Sequence, residues 1–543
     1  VKTLLFVLGA LLCAAARAHT PPADAPWVAD LGNGSYRNPV LHADYSDPDA
    51  IRVGQRFYMT ASSFSNVPGL PLLESADLVN WSLVGHAVTT LTPSPAFAQP
   101  QYGKGVWAPA LRHHAGRFYI FYPDPDHGIY VIEAADFRGP WSAPRLLMAG
   151  RGLIDPAPFW DDDGQAYLLH SWAFSRAGKN NLVTMHRMAP DTSRMLDPLA
   201  QGRDIIDGAR YTGYHTVEGP KLYKANGYYY VFAPAGGVEQ GWQAVFRSRT
   251  LTGPYEVRTV LAQGDTPVNG PHQGAWVDAP DGSHWFLHFQ DKGAYGRVVH
   301  LQPMAWRDGW PLIGKPGRQA GAGEPVTTHI KPVADQPLAV PPTSDSFNGP
   351  QLGVQWQWGA NPQPGWYSLA ARPGSLRLWT QPLADADDFV RASPAILTQK
   401  FPASRFVVTT RLALEQPADG DRAGLIVNAM QYAWVGLRRR QGVTELVSVV
   451  CGPFAPRCQE RPTVVLSPAP ARLTLRAFVN ENAFVNFSYS IDGKTFKPAG
   501  GPFPVTRGTW VGAQVGLFSV GRQAGSWLDV DDFHLTAPES RPY

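Results

Sequence analysis

The sequence predicts an all-β protein, a five-bladed β-propeller followed by a two-sheet β-sandwich, and three observations carry that prediction. The composition is rich in turn formers and aromatic residues, with 53 Gly, 51 Pro, 18 Trp, 20 Tyr and 25 Phe among 543 residues, which suits short strands and tight turns better than long helices. Five degenerate units recur over the first half of the chain. A Pro-rich interruption then separates them from a second stretch with strand alternation, and a chain of this length exceeds what one hydrophobic core supports.

Taken in order, residues 1–18 show Lys2, an apolar run from Leu4 to Leu12, and Ala16-Arg17-Ala18. This is the pattern of a signal peptide cleaved before His19. The run is too short to span a bilayer, and no later stretch approaches about twenty apolar residues. The expectation is a secreted or periplasmic protein, free of the membrane after cleavage. Cys13 raises a lipoprotein reading, but Leu12 stands where a lipidation site wants a small residue.

The five units open at Asp47, Trp107, Asp155, Glu218 and His272, and their starts are separated by 60, 48, 63 and 54 residues. Each runs through an apolar strand, turns at a polar or Gly-containing stretch, and returns in an aromatic-rich strand such as Phe57-Tyr58, Phe118-Tyr119 or Tyr228-Tyr229. That spacing suffices for one four-stranded antiparallel sheet per unit, and radial repetition limits exposed strand edges. The propeller is assigned to residues 36–325, and its unit starts should gather around the central channel. Residues 326–344 are rich in Pro, lack strand alternation, and read as a linker laid along a surface. Residues 345–538 alternate again, for example Leu473, Leu475 and Ala477 against Arg472, Thr474 and Arg476, and read as a sandwich. Cys451 and Cys458 flank Gly452-Pro453-Phe454-Ala455-Pro456. In an oxidising compartment that spacing permits a hairpin-stapling disulfide, the alternative being two free thiols.

A net charge of +3 from 47 basic and 44 acidic residues leaves no basic stripe, which excludes nucleic acid as an expected partner. Three unit starts carry acids, Asp47, Asp155 and Glu218. One Asp-Pro is commonly a turn initiator, but three acids at repeated positions around one channel repel each other and point to tuned acidities. Two weaker motifs are set aside. Asp161-Asp162-Asp163-Gly164 is read as a β-turn, and Ser490-Ile491-Asp492-Gly493-Lys494-Thr495-Phe496 as a hairpin turn.

Asn38-Pro39-Val40-Leu41 leading to Asp47-Pro48-Asp49, Ile154-Asp155-Pro156, and Val217-Glu218-Gly219-Pro220-Lys221-Leu222-Tyr223 resemble the three signature stretches of glycoside hydrolase family 43. The likeness extends to Ser75–Trp81, to Tyr295-Gly296-Arg297, and, in the second domain, to the concanavalin-like sandwich of the family's β-xylosidases and α-L-arabinofuranosidases through Asp419–Leu425 and Tyr432-Ala433-Trp434. The resemblance implies that Asp47 is the general base and Glu218 the general acid. Asp155 would orient Glu218 and raise its pKa. It further implies inversion, with Arg297 binding sugar hydroxyls. Phe64 and Trp107 lie in family-like stretches and are candidate sugar platforms, whereas Trp172 has no such context. His272 matches a channel histidine that in many relatives lies beside a hydrated calcium ion. No cofactor is required, and no carboxylate cluster at liganding spacing accompanies His272 in the sequence.

The function that follows is an exo-acting, inverting release of terminal β-D-xylose or α-L-arabinofuranose from plant cell-wall oligosaccharides. Substrates of that kind are arabinoxylan and xylo- or arabino-oligosaccharides. Rival readings are a non-catalytic carbohydrate-binding propeller, against which the three acids argue, and an endo-acting arabinanase or xylanase. A retaining fructan-cleaving propeller is disfavoured because its Arg-Asp-Pro and Glu-Cys motifs are absent.

Overall fold

The computed structural model describes residues 25–383, 389–452 and 460–538. Residues 36–324 form five radially arranged sheets. Blade I contains Asp49–Val53, Arg56–Thr60, Gly69–Ser75 and Trp81–Val88, and blade II contains Ala110–His114, Arg117–Asp124, Gly128–Ala134 and Arg145–Ala149. Blade III contains Leu153–Trp160, Ala166–Trp172, Leu182–Met188 and Arg203–Asp207, and blade V contains His272–Asp278, His284–Asp291, Arg297–Arg307 and Trp310–Ile313. In each blade the four main strands form a meander whose neighbours pair antiparallel in sequence order. The first hairpins of blades II and IV turn through Ala115-Gly116 and Asn226-Gly227, with positive φ at both central residues. That is the mirror-image turn whose twist matches paired strands, and Asn-Gly favours it strongly.

Blade IV departs from the four-strand expectation. Beyond Lys221–Ala225, Tyr228–Ala235, Trp242–Ser248 and Glu256–Leu261 it gains Gly323–Glu324, which pairs parallel with the outer strand at Leu261, and then Lys315–Pro316. These two-residue strands carry no period-2 signal. Only the return of the chain past blade IV makes them strands. The Pro-rich stretch also contains a strand, Thr328–Ile330, paired with Ser35–Arg37. Thr328 and Ile330 are exposed, so backbone pairing and the His329 ring against Tyr36 and Trp285 define it.

Hydrophobic cores fill the wedges between neighbouring blades. Phe57, Trp81 and Leu287 lie between blades V and I, and Leu72, Leu111 and Ile120 between I and II. Phe121, Leu153 and Leu168 lie between II and III, Leu169, Val231 and Phe246 between III and IV, and Phe232, Phe286 and Ile313 between IV and V. Alternating strand faces therefore serve two different cores, which explains the near-continuous apolar runs in the inner strands. The ring closes without a shared blade. Leu41 bridges Val299, while the Asn38 side chain donates to the carbonyls of Leu301 and Val326 and accepts from Leu301 N.

The second domain is a concanavalin-like sandwich of two sheets. One runs Gln357–Trp358, Leu397–Lys400, Gln514–Gly521, Arg422–Asn428, Ala433–Arg440, Val443–Cys451, Glu460–Leu466. The other runs Tyr367–Ser368, Leu376–Trp379, Trp527–Thr536, Phe406–Glu415, Arg472–Val479, Phe484–Ser490, Lys497–Pro498. The alternation read at Leu473, Leu475 and Ala477 points these side chains into the inter-sheet core. Cys451 is fully buried and disulfide-bonded, whereas Cys458 lies outside the described residues.

The sandwich docks on the propeller through groups that belong to both. Ala294, Tyr295 and Val298 of blade V are part of the sandwich core. Val67 and Trp358 exchange backbone hydrogen bonds, and the Asn361 side chain accepts from Leu91 N at 2.8 Å and donates to Leu91 O at 3.0 Å. Tyr295 donates its hydroxyl to the carbonyls of Ser404 and Asn480. No helix among the described residues is long and apolar enough to cross a membrane.

Candidate active site

Asp47, Asp155 and Glu218 meet at the channel mouth, where the innermost strands of blades I, III and IV begin. Asp47 and Asp155 both have φ in the left-handed region, +53° and +54°. The residue with the matching conformation in blade IV is Gly219, at φ +60°, and in blade V it is Gln273. The repeat frame thus aligns Asp47 and Asp155 with Gly219, and Glu218 stands one residue earlier. This corrects the expectation that all three acids hold equivalent positions. Consecutive residues of an extended chain point in opposite directions, so Glu218 enters the site from a different angle than its two partners.

Their environments differ as well. Asp47 accepts hydrogen bonds from Arg297 Nη1 at both carboxylate oxygens, 2.9 and 3.0 Å, and from Ser62 Oγ at 2.6 Å. Every polar contact it makes is one it accepts. Asp155 accepts from the backbone N–H of Gly219 at 2.8 Å, so it grips the chain beside Glu218 and leaves the Glu218 carboxyl itself free. Glu218 is half-buried and its carboxyl is pushed up to about 8, by burial first and then by the Asp155 and Asp47 carboxylates. Asp155 is pushed up to about 7 by burial and then by Asp47, with the Gly219 hydrogen bond and the Lys221 and Arg297 charges opposing.

Behind the acids, Asp49 is fully buried. It accepts from Leu111 N and from Arg112 Nη1, each at 2.8 Å, and pairs with Lys221 Nζ at 3.3 Å. Lys221 also donates to Pro109 O at 2.8 Å. One carboxylate thereby links blades I, II and IV below the site.

Arg297 is 7% exposed, so it is no surface arginine. Its backbone is fixed twice, by donation to Asp44 Oδ1 at 2.9 Å and by acceptance from Tyr45 N at 3.2 Å. Its guanidinium carbon lies 5.0 Å from the Phe289 ring centre and 5.7 Å from that of Trp510. Phe64 is buried, pairs with Val106 through the backbone, and stands 6.1 Å from Trp107, which in turn stands 5.9 Å from Trp510. These three rings form one wall. Trp172 instead packs into the core between blades II and III, with its Nε1 donating to Thr184 Oγ1.

Trp510 comes from the sandwich and was not singled out from the sequence. It is 47% exposed while Gly508 and Gly512 on either side are buried, which leaves an aromatic face open. Its only sequence signal is position, a Trp between Gly508 and Gly512 in a stretch without strand alternation. Ser62 and Asp44 were missed for a similar reason, since each acts through a partner distant in sequence.

His272 is buried, and its Nδ1 bonds to Gly270 O at 2.7 Å. Burial, with a further contribution from the Arg297 charge, holds the imidazole down at about 3, so the ring is neutral. Among the described residues no three His, Cys, Asp or Glu groups come together to hold a metal. The nearby guanidinium also opposes a dication, so these residues supply no direct ligand set, and a calcium beside His272 would be held through water. The two motifs set aside behave as turns. Gly164 N donates to Asp161 O, and Asp492 accepts from Lys494 N and Thr495 N.

Residues 36–311 match the family model described as glycosyl hydrolases family 43, and residues 344–536 match that of the beta xylosidase C-terminal concanavalin A-like domain. A proposed beta-xylosidase of Xylanibacter ruminicola is 39% identical over 91% of this chain and 88% of its own length. A beta-xylosidase of Formosa agariphila is 34% identical over 93% and 90%. A non-reducing end alpha-L-arabinofuranosidase of Bacteroides ovatus is 30% identical over 74% and 76%. Among solved structures, the GH43 protein BlXynB of Bacillus licheniformis superimposes with a TM-score of 0.79 at 26% identity, covering 93% of this chain and all of that one. A bifunctional GH43-CE protein of Bacteroides eggerthii also gives 0.79, at 28% identity and over 93% of this chain, which spans 64% of that longer protein.

Proposed function

The chain belongs to glycoside hydrolase family 43, and from that premise we propose that it releases terminal pentoses, β-D-xylose or α-L-arabinofuranose, from the non-reducing ends of plant cell-wall oligosaccharides by single-displacement hydrolysis with inversion. The observation that carries this reading is the division of labour between two acids on different blades. Glu218 keeps a proton at neutral pH and is the general acid that protonates the leaving oxygen. Asp47, held as an acceptor by Arg297 and Ser62, is the general base that takes a proton from water. Water then attacks the anomeric carbon as the glycosidic bond breaks, and the proton from Glu218 leaves on the departing hydroxyl.

Asp155 tunes Glu218 by charge and holds it through Gly219 N. Phe64, Trp107 and Trp510 offer apolar faces to a sugar ring, and Arg297 sits where its remaining nitrogens reach sugar hydroxyls. Trp510, beside Trp107 and Arg297, brings a sandwich side chain to the site, which supports a pocket and exo action. Two of the relatives just named carry beta-xylosidase names and one an alpha-L-arabinofuranosidase name, which supports keeping both pentoses in the proposal. Export is part of the same proposal, supported by the disulfide at Cys451.

Proton NMR of the first-formed sugar, recorded before mutarotation, should show the anomer opposite to that of the substrate. Retention would mean a covalent intermediate and remove Asp47 from the role of base. Early digestion of xylo- and arabino-oligosaccharides should yield monosaccharide alone. Matched nitrophenyl α-L-arabinofuranoside and β-D-xyloside rates then rank the two sugars.

A further inference from the structure

We propose that Asp44 is a positioning residue which couples the sandwich to the active site, holding the loop that carries Trp510 in register with Arg297 and Asp47. The inference rests on the reading of Asp47 and Arg297 given above and adds a residue that touches neither substrate nor reacting atoms. Asp44 is buried at the seam between the domains. Its Oδ1 accepts from Ser46 Oγ at 2.9 Å and from Arg297 N at 2.9 Å, and its Oδ2 accepts from Gly512 N at 2.9 Å.

Each donor leads to a different part of the site. Ser46 O accepts from Ser62 N, and the Ser62 hydroxyl sits on Asp47. Arg297 carries the guanidinium that binds Asp47. Gly512 lies two residues after Trp510, whose ring faces that same guanidinium. One carboxylate with three donors thus connects the base, its arginine and the aromatic residue supplied by the other domain.

Sterics support the assignment. A Cβ on Gly296 would lie 2.5 Å from Asp44 Cγ, and one on Gly512 would lie 2.7 Å from Gly296 N. Both contacts are closer than any side chain tolerates, so the glycines admit Asp44 and let the two backbones meet. The Trp510 loop has further anchors. Ala513 N donates to Ala294 O at 2.7 Å, and Arg507 Nη1 donates to Glu239 Oε1 at 2.7 Å. The Arg507 pair is exposed on both sides and contributes little in water. Trp510 itself has φ +65°, a conformation a tryptophan holds only when its surroundings impose it. Among the described residues, the buried tie at Asp44 is the one hydrogen bond to the propeller within two residues of that strained position.

The test is a double-variant cycle on the full chain. Asp44→Asn preserves shape and one acceptor but converts the other into a donor. Two donors converge on Oδ1, so the amide nitrogen falls on the Gly512 side and releases the loop while Arg297 N stays bonded. Asp44→Asn should cut kcat/KM about tenfold, mainly through KM, to the level of Trp510→Ala. Amide exchange in residues 506–513 should quicken while melting stays within a few degrees of the parent. The combined variant should lose nothing beyond Trp510→Ala, because the two residues act as one unit. Gly512→Ala should reproduce the effect with Asp44 intact, and carries the cycle if Asp44→Asn fails to fold. Additive losses, about a hundredfold in the combined variant, or unchanged exchange in residues 506–513, would overturn the proposal. Failure of the underlying reading is distinguishable, since it would appear as activity surviving in Asp47→Ala.

Discussion

At the scale of single residues the site is a contest between burial and charge. Glu218 is held above its ordinary value near 4.5, up to about 8, so kcat/KM should fall as the pH rises through about 8 and the acid loses its proton. Asp155→Asn removes one of the charges that raise it, and the alkaline limb should move to lower pH, as a pH–rate profile will read. The same displacement has a stability consequence. The native state keeps a proton that the unfolded chain releases at lower pH, so stability falls as the pH climbs from about 4.5 to about 8. Glu218→Gln cannot ionise, and should melt a few degrees above the parent at pH 9, at about one degree per kcal/mol for a chain of this length, while losing most activity. An unchanged or lower melting point at that pH would contradict the electrostatic account. Asp47→Ala should lower kcat by on the order of 10²- to 10⁴-fold for every substrate. Glu218→Ala should be that severe for a sugar leaving group and mild for an activated phenol, and a plot of rate against leaving-group pKa separates the two.

At the scale of elements, the decisive pieces are loops at strand ends. The inner strands place their first residues around the channel, and left-handed φ at Asp47, Asp155, Gly219 and Gln273 repeats from blade to blade. Glycine holds that conformation in blade IV, where the residue before it carries the acid. Gly219→Ala should therefore strain the backbone and also press on Pro234 and Gln273, whose side chains lie about 3 Å from where the added methyl group would stand. Loss of activity out of proportion to loss of stability, measured by kcat alongside melting, is the expected result. Trp510→Ala tests the loop from the sandwich. It removes one ring of the pocket wall and should raise KM roughly tenfold, within the range of a single aromatic contact, while leaving the alkaline limb in place.

At the scale of the whole molecule, propeller and sandwich share a core. Tyr295 and Val298 from blade V, packed with Leu397, Phe401 and Val515 of the sandwich, would be exposed to water if the domains parted. Truncation after Pro325 should give insoluble protein, or a soluble propeller lacking both Trp510 and the Gly512 partner of Asp44. A soluble truncated propeller with full activity on oligosaccharides would show that the sandwich is dispensable. Single-transition melting of the full chain is the companion expectation, because Asn361, Trp358, Tyr295 and Gly512 bond across the seam at both ends.

What the sequence determined by itself was whatever recurs locally. Aromatic-rich hairpins at regular spacing announced the five blades, period-2 alternation at Arg472–Val479 announced a sandwich strand, and Asp-Pro at repeated positions brought Asp47 and Asp155 to notice. Such features are local because side-chain direction in a strand depends only on its neighbours. Tertiary structure alone decided the rest. The two extra strands of blade IV and the pairing of Thr328–Ile330 depend on where the chain returns, and no residue pattern encodes them. The offset of Glu218 from the repeat frame appears only once the backbone angles are known. Asp44 and Trp510 are 466 positions apart in the chain and function through bonds to third residues, so neither bears a sign of its role. The physical reason is that a carboxylate's chemistry is set by the donors and charges that reach it, and folding, by bringing distant segments into one buried space, chooses them.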